Sequence, residues 1–266
     1  MVGSKPVLKI AIVNLMPNKQ ETERQLLNLL EKGNIPLNID FIHMESHRSK
    51  NTSHQYLKQH YKVLSQIQST HYDGLIVTGA PVEKLPFEEV TYWEELCQLF
   101  DWANTHVTSS MYICWGAQAA LSYYYQIGKS TLSEKISGVY AHDTLHSQHP
   151  LTKDLPSGFL APHSRWTTID ERAVAKEENL DILAASSEAG LHIVADKQSK
   201  HLFLLGHMEY EADTLAKEYF RDRGQGLAPI LPVAYFPNDD PSEAPINKWA
   251  TYGGKLFANW IRHLQM

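Results

Sequence analysis

In the first half of the chain, short apolar runs alternate with longer segments in which apolar residues recur at helical spacing. The runs rich in β-branched residues predict buried strands over residues 7–15, 37–42, 74–78 and 110–113. The segments between them predict helices over residues 21–32, 51–67, 88–103 and 116–125. Strands that alternate with helices are typical of βαβ units. The pattern therefore predicts an α/β fold with a mostly parallel sheet and helices on both of its faces.

The second half of the chain is richer in strands. Short apolar runs with turn residues between them predict strands over residues 182–185, 191–195 and 202–205. Helices are predicted over residues 213–221 and 256–264, and the Pro- and Gly-rich stretch 224–245 predicts a long surface loop. A chain of 266 residues is long enough for one large domain or two small ones, and we expect one domain over residues 1–266.

The charge and composition of the chain disfavour several classes of partner. A formal net charge of -6 over 266 residues leaves no basic footprint, so neither nucleic acid nor an anionic membrane is an expected partner. No apolar run is long enough to span a bilayer, and the polar start predicts no signal peptide. The two cysteines cannot form a disulfide framework. We therefore expect a cytoplasmic protein.

Cys114 lies where the fourth predicted strand passes into a helix, and the small residues Gly116 and Ala117 lie just beyond it. This arrangement is typical of a nucleophile elbow, a sharp turn that exposes the side chain at the carboxyl edge of a sheet. The helix N-terminus favours the thiolate, and the backbone N–H of Trp115 can face a developing oxyanion. The alternative is a structural buried cysteine. Cys97 fits that alternative, because it shares an apolar helix face with Trp93 and Phe100.

A cysteine nucleophile needs a base, and the chain offers fourteen histidines. His207 is the best placed, since it follows the predicted strand 202–205 and Gly206 at the same edge of the sheet. Glu209 lies two residues further on, where extended backbone would bring its carboxylate to the side of the imidazole. His207 and Glu209 are therefore the candidate base and its orienting partner.

Three other histidines, His142, His146 and His149, suggest a metal site. Their spacing matches no standard zinc pattern, and Pro and Ser residues surround them. We predict a solvated loop here and no metal.

The motifs around the candidate site resemble those of the homoserine O-acyltransferases of methionine biosynthesis. That family comprises acetyl- and succinyltransferases built on the class I glutamine-amidotransferase-like, flavodoxin-like fold. The matching motifs are 14–17 (NLMP), 43–47 (HMESH), 49–53 (SKNTS), 78–81 (TGAP), 113–118 (ICWGAQ), 161–165 (APHSR), 206–210 (GHMEY) and 235–241 (YFPNDDP). Because they span almost the whole chain in the same order, the resemblance covers the fold as well as the site.

The resemblance implies acyl transfer through a thioester on Cys114, with acetyl-CoA as a substrate and no bound cofactor or metal. It implies His207 as the proton acceptor and Glu209 as its partner. Residues implied to lie near the substrate or the acyl group are Lys19, Lys135, Ser164 and Arg221. For Arg221 there is independent chemistry, because a guanidinium pairs bidentately with the carboxylate of an amino acid.

Glu83 bears on the choice of acyl donor. The resemblance implies that glycine at this position accompanies succinyl donors and that glutamate accompanies acetyl donors. A carboxylate in the acyl pocket would repel the free carboxylate of a succinyl group. We therefore expect acetyl-CoA to be the donor.

Several alternatives stay open at the level of sequence. The acceptor could be serine instead of homoserine, since one methylene gives only about 1–3 kcal/mol of discrimination. Succinyl transfer, a glutamine amidotransferase and a non-catalytic binding protein are further interpretations of the same motifs. From the resemblance we expect longer N-terminal and C-terminal segments than this sequence shows, and arginine at the position of Ala250. We expect a homodimer, of undetermined geometry.

Overall fold

The computed structural model describes residues 7–49, 51–198 and 200–266. The strands are β1 (Leu8–Val13), β2 (Leu37–Ile42), β3 (Tyr61–Lys62), β4 (Tyr72–Val77), β5 (Val107–Ile113), β6 (Lys129–Thr144), β7 (Phe159–Ile169), β8 (Leu180–Ser186), β9 (Gly190–Asp196) and β10 (His201–Leu204). The α-helices are α1 (Lys19–Leu30), α2 (His54–His60), α3 (Leu64–Ile67), α4 (Trp93–His106), α5 (Trp115–Tyr125), α6 (Glu171–Lys176), α7 (Thr214–Gly224) and α8 (Ala250–His263). None of these helices has the length and apolar character needed to cross a membrane.

All ten strands join one sheet in the order β3-β2-β1-β4-β5-β10-β9-β8-β6-β7. The first six strands of that order, which end with β10, pair with one another in parallel. The last four, β9, β8, β6 and β7, add to β10 in antiparallel fashion. In the sheet, β2 lies on one side of β1 and β4 lies on the other, so the direction of the strand order reverses at β1. This reversal opens a crevice beyond the carboxyl ends of the parallel strands, where α/β proteins bind ligands. The predicted mostly parallel α/β sheet is confirmed.

Helices cover both faces of the parallel strands. Ile10 and Ile12 of β1 belong to the apolar cluster that contains residues of α1 and α8. Ala11 and Val13, which alternate with them, belong to the opposite cluster, with residues of α4 and α5. This two-residue alternation explains why β1 is a continuous apolar run in the sequence: both of its faces are buried.

Two of the differences between the structure and the predicted elements are the largest. The predicted helix 51–67 divides into α2 and α3, because Tyr61 and Lys62 form β3 and pair with Phe41 and Ile42 of β2. The long antiparallel hairpin of β6 and β7 was not predicted. Much of β6 is polar and exposed, and its hydrogen bonds come from a strand that follows far along the chain. No local periodicity marks such a strand.

Candidate active site

Cys114 lies on a strained turn between β5 and α5. Its backbone has φ 50° and ψ −114°, a conformation that non-glycine residues rarely adopt. Its N–H donates to the Leu204 carbonyl at 2.7 Å, which ties the turn to β10. Gly116 permits the close packing of the turn, because a Cβ there would lie 2.6 Å from the Thr78 carbonyl oxygen. The structure therefore has the sharp strand-to-helix turn that a nucleophile elbow requires, with α5 beginning directly after Cys114.

His207 lies beside this turn because β10 pairs with β5. Its Nδ1 is 2.7 Å from Glu209 Oε1, and both side chains are buried. Residues 208 and 209 form a turn, so Glu209 reaches the imidazole without the extended backbone that we expected. Tyr210 stacks on the imidazole at a centroid distance of 4.1 Å. The structure thus brings Cys114, His207 and Glu209 together.

Burial opposes protonation of His207, but the charges of Cys114 and Glu209, and hydrogen bonds to both, raise its pKa well above the usual value. This direction favours the protonated imidazole beside the Cys114 side chain at neutral pH. Gly79 leaves the space between the two groups open, since a Cβ there would lie 3.3 Å from Cys114 Cβ and 3.6 Å from His207 Cε1. A protonated imidazole beside a cysteine is an arrangement that can activate the sulfur as a nucleophile.

A cavity of about 380 Å³ opens over Cys114 and His207. Its lining combines the loop after β1, the loop after β4, the β6–β7 hairpin and α7. The four candidate substrate and donor residues, Glu83, Lys135, Ser164 and Arg221, all line it. Tertiary structure thus brings residues from four separate parts of the sequence into one cavity with the candidate nucleophile.

Glu218 on α7 also lines the cavity, although the sequence did not predict it as a site residue. Its carboxylate accepts hydrogen bonds from Tyr210 Oη at 2.9 Å and from Ser164 Oγ, and it pairs with Lys135 Nζ at 3.3 Å. Arg221 lies three residues later on the same helix face. In the sequence, the three-residue spacing from Arg221 was the signal that could have identified Glu218 as a site residue.

Arg221 lies at the rim of the cavity. Its guanidinium pairs with the neighbouring Asp222 through Nε at 2.9 Å and Nη2 at 2.7 Å. More than half of its side chain is exposed. A carboxylate ligand would therefore have to compete with Asp222 for this guanidinium.

Glu83 reaches the cavity from the loop after β4. Burial is the main reason that its pKa is raised, while the Trp166 N–H and the charges of Lys135 and His207 lower it in part. The Trp166 N–H donates to Glu83 Oε1 at 3.2 Å. The carboxylate is thus held on the same hairpin that carries Lys135.

Lys19 and Trp115 contribute differently from the other candidates. Lys19 is absent from the lining of this cavity, and its buried ammonium donates to the Asn14 carbonyl at 2.6 Å. Burial lowers the pKa of Lys19 to about 8. Lys19 therefore supports the loop that includes Met16, which lines the cavity.

The Trp115 side chain is fully buried in the core, so only its backbone N–H can serve an oxyanion.

The histidines at 142, 146 and 149 do not form a group, and the prediction of a solvated loop is wrong for His142. His142 is buried on β6, with its Nε2 3.0 Å from His163 Nε2 and with His192 packed against both rings. Donor atoms of these three residues lie within 4.8 Å of one another, as in a metal site. However, the charged groups acting on the three rings are mostly cationic: Arg165 acts on all three and His207 on His163 and His192, against the one carboxylate of Asp143 near His142. Those charges disfavour a divalent cation, and we interpret the cluster as packed neutral imidazoles.

We expect His192 to make the protein less stable in acid. Burial, followed by neighbouring positive charges, holds the pKa of His192 well below its usual value. The unfolded chain binds this proton below about pH 6.5 and the folded protein does not, so this contribution to stability is complete above that pH and declines below it. The free energy of unfolding should therefore fall less on acidification in His192→Leu than in the wild type. The difference should be up to about 1.4 kcal/mol per pH unit below 6.5.

Urea unfolding at about pH 7.5 and about pH 5.5 measures this difference. Neither nitrogen of His192 has a hydrogen-bond partner among the described residues, so the leucine loses no bond. The exposed His146 provides the control variant His146→Leu. Equal pH dependence in the wild type and His192→Leu would contradict the assignment.

The fold and this site define a class: an α/β protein of the class I glutamine-amidotransferase type with a Cys–His–Glu triad. Solved structures with the same fold include a glutamine amidotransferase from Thermotoga maritima, with a TM-score of 0.61 and 10% identity over 97% of this chain and 98% of that one. A glutamine amidotransferase from Methylobacillus flagellatus matches with a TM-score of 0.59 and 13% identity, over 97% of this chain and 94% of that one. At these identities the likeness concerns the fold alone.

The chain belongs to the homoserine O-succinyltransferase family, whose model matches residues 4–266. Relatives named homoserine O-acetyltransferase include proteins from Bacillus cytotoxicus, 48% identical over 258 residues, and Lachnospira eligens, 45% identical over 256 residues. Each alignment covers 96% of this chain, and 85% and 83% of the respective relative. The family resemblance drawn from the motifs is confirmed.

Proposed function

We propose that this protein is a homoserine O-acetyltransferase, which transfers acetyl from acetyl-CoA to the hydroxyl of L-homoserine through a thioester on Cys114. The observation that carries the proposal is the shared cavity. Cys114, His207 and Glu83 line it together with Glu218, whose carboxylate lies 3.3 Å from Lys135 Nζ. The names of the relatives from Bacillus cytotoxicus and Lachnospira eligens support the same activity.

In the first half-reaction the Cys114 thiolate attacks the thioester carbonyl of acetyl-CoA. A C–S bond forms to Sγ, and the negative charge moves to the carbonyl oxygen. The N–H of Trp115 and an N–H of the Gly79–Ala80 turn would stabilise that oxyanion, at roughly 3 kcal/mol for one donor. When the C–S bond to CoA breaks, protonated His207 donates its proton to the leaving CoA thiolate.

In the second half-reaction His207 is neutral and can act as a base. It accepts the proton of the homoserine hydroxyl while the oxygen attacks the acetyl carbonyl. The tetrahedral intermediate then collapses, which releases O-acetylhomoserine and restores the Cys114 thiolate beside protonated His207. Glu209 stabilises the charged imidazole and holds its orientation through Nδ1 in both half-reactions.

The charged groups of homoserine match the α7 side of the cavity. The Glu218 carboxylate is the natural partner for the ammonium, since Ser164 and Tyr210 already orient it by hydrogen bonds. The carboxylate of homoserine can pair with Lys135, or with Arg221 once Arg221 leaves Asp222. Glu83 lies on the loop after β4, where a negative charge disfavours a succinyl group and tolerates an acetyl group.

Intact-protein mass spectrometry tests the proposal directly. Mixed with acetyl-CoA, the protein should gain the mass of one acetyl group, and succinyl-CoA should label it much more slowly. A chase with L-homoserine should remove the label and yield O-acetylhomoserine. A parallel chase with L-serine decides the acceptor, and removal of the label by serine alone would overturn homoserine as the substrate. Absence of any acetyl label would overturn the transferase itself.

We expect the reaction to need no cofactor beyond acetyl-CoA as substrate, and the protein to be a cytoplasmic homodimer without nucleic-acid or membrane partners. Both half-reactions use only groups of the chain and its two substrates.

A further inference from the structure

Segment 83–85 forms a wall of the reaction cavity, and three contacts tie it to the β6–β7 hairpin. The Lys129 ammonium donates to the carbonyl oxygen of Glu83 and, at 2.7 Å, to that of Leu85. The backbone N–H of Trp166 donates to Glu83 Oε1 at 3.2 Å. The Lys84 ammonium lies 3.8 Å from the centroid of the Trp166 indole. The segment is therefore held by both strands of the hairpin.

Of these three contacts, the one from Lys129 holds the backbone of the segment at two points. Lys129 begins β6, opposite Ile169 of β7, so its Cα is set by the sheet. Its ammonium bridges two carbonyls that are two residues apart, and such charge-assisted hydrogen bonds are stronger than neutral ones. The bridge constrains the turn of residues 83–85 and, with it, the direction in which the Glu83 side chain leaves the backbone. Because Lys129 is only partly buried, its substitution is compatible with folding.

We propose that Lys129 is a positioning residue for acyl-donor selection: its ammonium fixes segment 83–85 so that the Glu83 carboxylate stays in the acyl pocket. The inference rests on the proposed function, in which Glu83 excludes the longer, charged donor. Repulsion between two carboxylates depends on their separation, so a mobile Glu83 would discriminate less well. A displacement of about 1 Å is enough to change reactivity by as much as 10²-fold in enzymes.

The test substitutes Lys129→Met, which keeps the length of the side chain and removes the donor. Amide hydrogen exchange across residues 79–88 should become faster. The ratio of kcat/KM for acetyl-CoA to that for succinyl-CoA should fall about tenfold, towards the ratio of Glu83→Gly. In Lys129→Arg the guanidinium can still donate to both carbonyls, so this variant should keep wild-type exchange and most of the selectivity.

Lys255→Met is the matched control. Lys255 is also partly exposed and donates to a backbone carbonyl, that of Asp154 at 3.0 Å, but it lies outside the lining of the reaction cavity. It should leave both readouts unchanged. Unchanged exchange over residues 79–88 in Lys129→Met would overturn the inference, as would faster exchange with an unaltered donor ratio. Hydrogen exchange needs no substrate, so failure of the wild type to transfer acetyl would count against the proposed function separately.

Discussion

Replacing Cys114 with alanine should abolish acetyl transfer, lowering kcat by at least about 10⁴-fold, and should leave no acetyl label on the protein. The reason is that the thiolate forms the bond to the acetyl group, and neither His207 nor Glu209 can take over that role. Steady-state CoA release and intact mass after mixing with acetyl-CoA measure the two effects.

Cys97 provides the matched control, since it is the other of the two cysteines in the chain. Burial, with the nearby negative charges of Asp101, Glu88 and Glu94, raises the pKa of Cys97 to about 11. A thiol at that pKa is not a nucleophile at neutral pH. In Cys97→Ala, acetyl labelling of Cys114 and kcat should therefore equal those of the wild type. Normal turnover by Cys114→Ala would refute the thioester mechanism.

Glu218→Gln should raise the KM for homoserine by about 10²-fold while acetylation of Cys114 proceeds at the wild-type rate. Glutamine keeps the shape of the side chain and can still accept from Tyr210, but it offers no charge to the ammonium of the acceptor. The two half-reactions can be followed separately, by the rate of acetyl labelling and by the rate at which homoserine removes the label.

A second acceptor makes this prediction sharper. γ-Hydroxybutyrate is homoserine without its amino group, so the wild type should strongly prefer homoserine over it and Glu218→Gln should not. Glu21→Gln is a suitable control. Glu21 lies on α1 and pairs with Lys217 of α7, and neither residue lines the cavity. A slowed acetylation step in Glu218→Gln would indicate that Glu218 acts on Cys114 and His207 instead of the acceptor.

Local sequence was sufficient to locate the candidate nucleophile and its candidate base. A short strand over residues 110–113, a cysteine and the small residues Gly116 and Ala117 predict a strand-to-helix turn, since only a small residue allows the approach seen at Gly116. His207 and Glu209 are two residues apart, so their pairing needs little more than the direction of one short segment. The path of that segment differs from the prediction, because residues 208 and 209 turn instead of extending.

The hairpin of β6 and β7 shows where local reasoning ends. Its strands are polar along much of their length, and what stabilises them is pairing between distant positions, such as Ser137 with Ser164. Missing the hairpin meant missing the surroundings of Lys135 and the burial of His142. His142 acquires its contacts with His163 and His192 only when β6, β7 and β9 come together.

The sequence by itself determined the α/β class, the elbow at Cys114, the His207–Glu209 pair and, through motifs, the family. These features depend on residues that are close in the chain, where periodicity, turn chemistry and spacing act directly. Only the tertiary structure decided which distant side chains share the reaction cavity, that Lys129 holds its wall, and that His142 is buried. The physical reason is that burial and charge pairing depend on which distant segments meet, and the sheet order sets those meetings.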